Sequence, residues 1–191
     1  MYKDYLEKIV WLMFNSQIIC GIKSVPDWNE GFGTIVSLFL SKKNEGKKVF
    51  FIGNGGSAAI ASHMTADFMK NGGIHTISLF DNALTTCMGN DYGYEYVYSK
   101  PLEFLISQGD VLVAISSSGN SKNIINAIYT ARDKGAIVVT LTGFKNDNII
   151  KGLGDYNIYV PVEHYGMVET IHGMYLQQIV DAIKEKEENI L

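Results

Sequence analysis

From Lys47 onward, short apolar runs alternate with amphipathic stretches. "KKVFFIG", "HTISLF", "DVLVAIS" and "AIVVTLTG" are the short apolar runs, and "NIYVPV" is a fifth. Runs of this length, rich in β-branched and aromatic residues, predict strands buried on both faces. Between them, helices are predicted at 57–70, near 99–107 and at 121–134, the last bounded by Ser121 and Gly135. Strand–helix alternation predicts an α/β fold, a doubly wound five-stranded parallel sheet with right-handed crossovers and helices on both faces. A long helix from Met167 to about Glu188 follows the last strand.

Before Lys47 the pattern is helical. Two helices are predicted, at 1–22 and at about 28–44, the second opening with Asp27 and Glu30 at capping-box spacing just after Pro26. The first carries Tyr5, Leu6, Ile9, Val10, Leu12, Met13 and Phe14 on more than one face. A helix apolar on several sides in a chain this short predicts an oligomer interface. No internal repeat or low-complexity linker interrupts the chain. The expected organisation is one domain over 1–191, with a helical segment at 1–46 used in oligomerisation and an α/β sandwich at 47–191.

Composition narrows this picture. With 191 residues, 47% of them hydrophobic and 19% charged, the chain can bury a full core. A net charge of −4 without any basic run argues against nucleic acid as a ligand. No apolar run approaches the roughly 20 residues of a spanning helix, so no membrane partner is expected. Cys20 and Cys87 stand far apart and read as two thiols of a reducing compartment, which predicts a cytoplasmic protein.

Two loops carry the chemistry. "GNGGS", Gly53 to Ser57, and "SSSGNS", Ser116 to Ser121, each follow a strand and open a helix. Each therefore offers free backbone N–H groups and a helix N-terminus to an anion, while hydroxyls add donors without charge. Because the strands are parallel, both loops lie along one sheet edge, where ligands of such sheets bind. "GNGGS" is neither a Walker A loop nor GxGxxG, although Asp81, just past the next strand, stands where a ribose-binding acid could. A second loop with four hydroxyls fits a single phosphate better than a dinucleotide. The expected ligand is a small phosphorylated metabolite, with no nucleotide cofactor.

"GNGGSAA..ASH", "TTCMGNDYGYEYVYSK" and "ISSSGNSKNIINAI" together resemble, in this order, the sugar isomerase (SIS) domain, and within it the phosphoheptose isomerase branch. The resemblance implies a homotetramer with active sites between subunits. It implies that Ser57, Ser116, Ser117, Ser118 and Ser121 hold a sugar phosphate beside Gly55 and Gly56, and that Asn54 and Asp81 line the sugar site. The implied reaction isomerises sedoheptulose 7-phosphate to D-glycero-D-manno-heptose 7-phosphate through an enediolate. Members of the branch use a glutamate on the first helix of the sandwich and a histidine on the last. Where they bind zinc, its ligands are a His, that Glu, a Gln and that His.

Carried onto this sequence, those positions fall on His63, Asp67, Glu169 and Gln177, which are the implied set for a divalent metal, zinc. Asp67 is shorter than a glutamate by one C–C bond, about 1.5 Å of reach. Gln177 has no proton to give near neutral pH. Three readings stay open. Catalysis survives with shuffled roles among Asp67, Glu169, His172, Gln177 and His63; or the chain isomerises another phosphosugar; or it binds a phosphosugar or a protein partner without turnover. His172, on an otherwise apolar helix, reads equally as a packed core histidine.

Overall fold

A computed structural model describes residues 2–188; the expected domain ends at 1 and 191 lie outside them. The elements in chain order are α1 (Tyr2–Phe14), β1 (Gln17–Cys20), β2 (Lys23–Val25), α2 (Trp28–Asn44), β3 (Lys48–Gly53), α3 (Gly56–Lys70), β4 (His75–Ser78), α4 (Asn82–Tyr92), α5 (Ser99–Leu105), β5 (Val111–Ser116), α6 (Lys122–Asp133), β6 (Ile137–Thr142), β7 (Tyr156–Tyr159) and α7 (Tyr165–Glu188). The five apolar runs form the parallel part of the sheet, in the order β4-β3-β5-β6-β7.

Alternation along these strands divides the core in two. Val49, Phe51, Val111, Val113, Ile115, Val139 and Leu141 face one side, where α2, α3 and α7 cover them. Phe50, Ile52, Leu112, Ala114 and Val138 face the other, where α5 and α6 supply Leu102, Ile124, Ala127 and Ile128. Burial on both faces explains why these strands read as unbroken apolar runs. The doubly wound arrangement is as expected.

The sheet is larger than the expected five strands. Residues 17–25 form an antiparallel hairpin, with β1 pairing β7 through Ile18↔Ile158, so the sheet has seven strands and the segment before Lys47 is not wholly helical. The expected helix over 1–22 stops at Phe14. There the side chains of Asn15 and Ser16 donate to the carbonyls of Trp11 and Leu12, each at 2.8 Å, and satisfy the end of the helix. β-branched Ile18 and Ile19 then suit a strand, and Gly21, at φ +62°, makes the turn.

α2 begins as expected, with the Asp27 carboxylate accepting from the Glu30 N–H at 2.9 Å. α4 was not expected. None of its residues is buried, so it shows no apolar stripe to read.

β3 and β5 are neighbours, Gly53 pairing with Ile115, yet the chain leaves them in opposite senses. α3 packs on one face of the sheet and α6 on the other. This is the topological switch point, where a crevice opens at the carboxyl ends of the strands. The two Ser/Gly loops flank it.

Candidate functional site

The loop after β3 is held from three sides. Gly55 sits at φ +55°, ψ −122°, a conformation that side-chain-bearing residues rarely adopt. Tyr98, whose hydroxyl donates to the Gly53 carbonyl, fixes the loop's start. Burial pushes the Tyr98 phenol up to about 12, so it keeps that proton. Asn54 and Asn123, the latter buried in the first turn of α6, exchange amide hydrogen bonds at 2.9 and 2.8 Å; Tyr94 adds a third at 3.0 Å. The two loops are thereby locked to one another.

The loop after β5 is shaped by its own backbone and by the segment after β6. The Gly119 N–H donates to the Ser116 carbonyl at 3.1 Å, and the Gly143 N–H donates to the Ser117 carbonyl at 3.0 Å. The Asn120 side chain accepts from the Ile149 N–H at 3.1 Å. Ser116 and Ser117 are buried. The Ser117 hydroxyl oxygen has no hydrogen-bond partner, which marks a polar group prepared for something outside the chain.

Between the loops lies a cleft of about 120 Å³, lined by Asn54, Ser57, Ile115, Ser116, Ser117, Ser118, Ser121, Tyr165 and Glu169. Two helix N-termini, those of α3 and α6, open onto it. Its lining contains no Lys, Arg or His, so an anion here would be held by neutral donors and helix dipoles.

Glu169 reaches the cleft from α7, and its carboxylate is pressed against Gly56, the first residue of α3. A methyl at Gly56 would stand 2.3 Å from Glu169 Oε2 and 2.7 Å from Oε1. Only glycine admits the carboxylate so close. Among the described residues, Glu169 has no hydrogen-bond or ion-pair partner. Tyr165, one turn earlier, flanks it with its ring edge-on to Phe144 at 4.7 Å.

The other expected site residues fall elsewhere. Asp81 does not line the cleft; it caps α4, accepting from the Leu84 N–H at 2.8 Å. His63 and Asp67 form a pair on α3, Nε2 to Oδ2 at 3.3 Å, with the ring mostly exposed. Gln177 donates to Asp181 at 3.3 Å, two turns beyond Glu169 on α7. His172 is 0% exposed, with Nε2 at 3.1 Å from the Thr142 carbonyl and Nδ1 without a partner. Enclosure holds its pKa down to about 4, so the ring is neutral and donates through Nε2. The structure therefore gives His172 the packed role that the sequence left open. It does not line the cleft.

The implied metal set does not gather within one chain. Glu169 lies at the first residue of α3, whereas Asp67 lies three turns further along that helix, about 16 Å away by helical rise. Among the described residues, no three His, Cys, Asp or Glu side chains come together closely enough to hold a metal ion. Within one chain Glu169 thus stands apart from the His63–Asp67 pair.

Tyr94, Tyr98, Asn123 and Tyr165 were not anticipated as parts of the site. Asn123 follows the serine loop directly and could have been read as a first-turn helix residue facing it. The tyrosines carry no local signal, because they reach the loops through tertiary packing.

Comparison with known proteins places the chain in a family. The SIS domain profile matches residues 23–143. The phosphoheptose isomerase of Cytophaga hutchinsonii is 39% identical over 159 residues, covering 81% of this chain and 82% of that one. That of Proteus mirabilis is 42% identical over 139 residues, covering 70% and 71%. Among solved structures, a phosphoheptose isomerase from Francisella tularensis matches with a TM-score of 0.82 at 25% identity over 96% of both chains. One from Neisseria gonorrhoeae matches with a TM-score of 0.75 at 33% identity, covering 82% of this chain and 86% of that one.

Proposed function

The chain belongs to the SIS domain family, and from that premise we propose that it is an aldose–ketose isomerase interconverting sedoheptulose 7-phosphate and D-glycero-D-manno-heptose 7-phosphate. The observation that carries the reading is the cleft at the switch point, where two helix N-termini, five serines and one unpaired carboxylate converge. The relatives named phosphoheptose isomerase, at about 40% identity over most of the chain, supply the substrate.

The geometry suggests how the work divides. The loop Ser116–Ser121 and the first turn of α6 take the phosphate, with the Ser117 hydroxyl as the donor in waiting. The carbonyl end of the sugar then lies toward α3, beside Glu169. Isomerisation moves a proton between C1 and C2, and Glu169 is the carboxylate that lines the cleft, so it is the base. As Glu169 takes the proton it becomes neutral, and the negative charge passes to the enediolate oxygen. Both charges sit at the same helix N-terminus, where the dipole of α3 and the Ser57 hydroxyl stabilise whichever is present. Asp67 and Gln177 lie outside this step within one chain.

We further propose a homo-oligomer, a tetramer by analogy with the branch, acting in the cytoplasm. α1 leaves Leu6, Val10, Trp11 and Phe14 exposed, and α4 buries nothing; both are surfaces that a second copy would cover. Both cysteines are free thiols. No helix of the described residues is long and apolar enough to cross a membrane.

The test is incubation with sedoheptulose 7-phosphate in deuterated water, followed by NMR. Formation of the aldose with deuterium at C1 or C2 is expected. Tight binding of the sugar with neither product nor exchange would sink the isomerase and leave a phosphosugar-binding protein.

A further inference from the structure

The cleft is assembled from neutral anion-binding groups, yet one carboxylate stands in it with no cation beside it. Glu169 stands at the α3 end, against Gly56, without a hydrogen-bond or ion-pair partner among the described residues, and the lining has no cation. Along the cleft the serine loop lies at the α6 end and Glu169 at the α3 end. Like charges repel most strongly at short range in a partly desolvated site. A phosphate must therefore take the α6 end, where Ser117 waits unpartnered, and the α3 end must receive groups that are neutral or positive.

We infer that Glu169 is a specificity-determining residue that fixes which way a phosphosugar lies in the cleft and rejects ligands with a second anion at the end remote from the phosphate. The ligand class is a polyol with one phosphate, hydroxyl-rich at its other end. Sugar bisphosphates are excluded by charge, and a protonated amine at the remote end is tolerated. This inference rests on the proposed site but not on turnover, because it concerns binding alone.

The experiment uses the intact protein in metal-free buffer and measures Kd calorimetrically for three probes: fructose 6-phosphate, fructose 1,6-bisphosphate and glucosamine 6-phosphate. Each is measured for the wild type, Glu169→Gln and Glu169→Ala, the second variant serving if the first does not fold. In the wild type, the bisphosphate binds more weakly than the monophosphate despite its greater charge. Removing the carboxylate lowers the ratio of bisphosphate to monophosphate Kd by about tenfold or more. The amino sugar gains nothing or loses affinity. Equal fold-changes for all three probes, or a bisphosphate that the wild type already prefers, would overturn the inference. Failure of isomerase activity with the charge discrimination intact would remove the reaction and leave Glu169 in this role.

Discussion

Lowering the pH from 7 to 5 should destabilise this protein through one side chain, His172, by an amount that can be worked out. In the folded state the enclosed ring does not accept a proton until about pH 4, against 6.5 for an ordinary histidine. Below 6.5 the unfolded chain binds a proton that the folded chain refuses, so stability falls as pH falls. The full separation corresponds to about 3 kcal/mol, and the part developed between pH 7 and 5 is about 2 kcal/mol. Urea unfolding of the wild type and of His172→Gln, at fixed protomer concentration, isolates this contribution from the titrating carboxylates. Glutamine keeps a donor for the Thr142 carbonyl but does not titrate. The stability gap between the two proteins should narrow by about 2 kcal/mol across that interval. A gap independent of pH would mean that His172 is not enclosed and neutral, and would return it to the candidates for acid–base work. The same pair checks the chemistry: if His172 only packs, the pH profile of kcat/KM keeps both limbs in His172→Gln.

Three further outcomes follow from the site and its surroundings. Ser117→Ala removes a buried hydroxyl that has no partner in the free protein, so thermal stability should hold or rise slightly while phosphosugar affinity falls by about tenfold, the worth of one hydrogen bond to a charged group; a large drop in Tm would show the hydroxyl already engaged. Gly56→Ala sets a methyl 2.3 Å from Glu169 Oε2 and must turn the carboxylate out of the cleft, so kcat should collapse with the fold intact by circular dichroism; retained activity would remove Glu169 as the base. Leu6→Glu with Trp11→Glu places charge on the exposed face of α1 and should dissociate the oligomer, read as molecular mass by light scattering; an unchanged mass would take α1 out of the interface.

How far the sequence disclosed this molecule depended on whether a residue's role is set locally. The parallel strands β3, β5 and β6 were legible because burial on both faces makes them apolar at most positions. The hairpin at 17–25 was not, because Ile18, Ile19 and Cys20 prolong an apolar stretch that had begun as a helix. Its stop lies in Asn15 and Ser16, which bond back to Trp11 and Leu12. α4 escaped notice because a helix that buries nothing within its own chain has no periodic stripe, although Asp81 and Gly93 mark its two ends. In the site, both loops were readable because glycine and serine there answer to backbone geometry. Asp81 misled because one carboxylate can suit a sugar or a helix cap, and only the distance to the Leu84 N–H decides between them. Tyr165 and the contact of Glu169 with Gly56 depend on α7 being laid beside α3, which no spacing within either helix records.

That helix pairing also explains why the positions implied by resemblance separate as they do. Gly56 meets Glu169, and one turn further Ile60 meets Gly173, so α3 and α7 run side by side in the same direction. Parallel helices in this register place Glu169 at the level of the phosphate loops and carry Gln177 down to the level of His63 and Asp67. A carboxylate at 169 therefore adds charge to the cleft itself, whereas changes at 177 and 67 act some 12 and 16 Å lower by helical rise. The two kinds of departure are then physically independent. Substitutions at Glu169 should alter which ligands enter the cleft, whereas substitutions at Asp67 or Gln177 should leave the charge preference of binding unchanged. A change in the bisphosphate-to-monophosphate ratio on Asp67→Asn would contradict this separation and require a second copy of the chain to bring the two levels together.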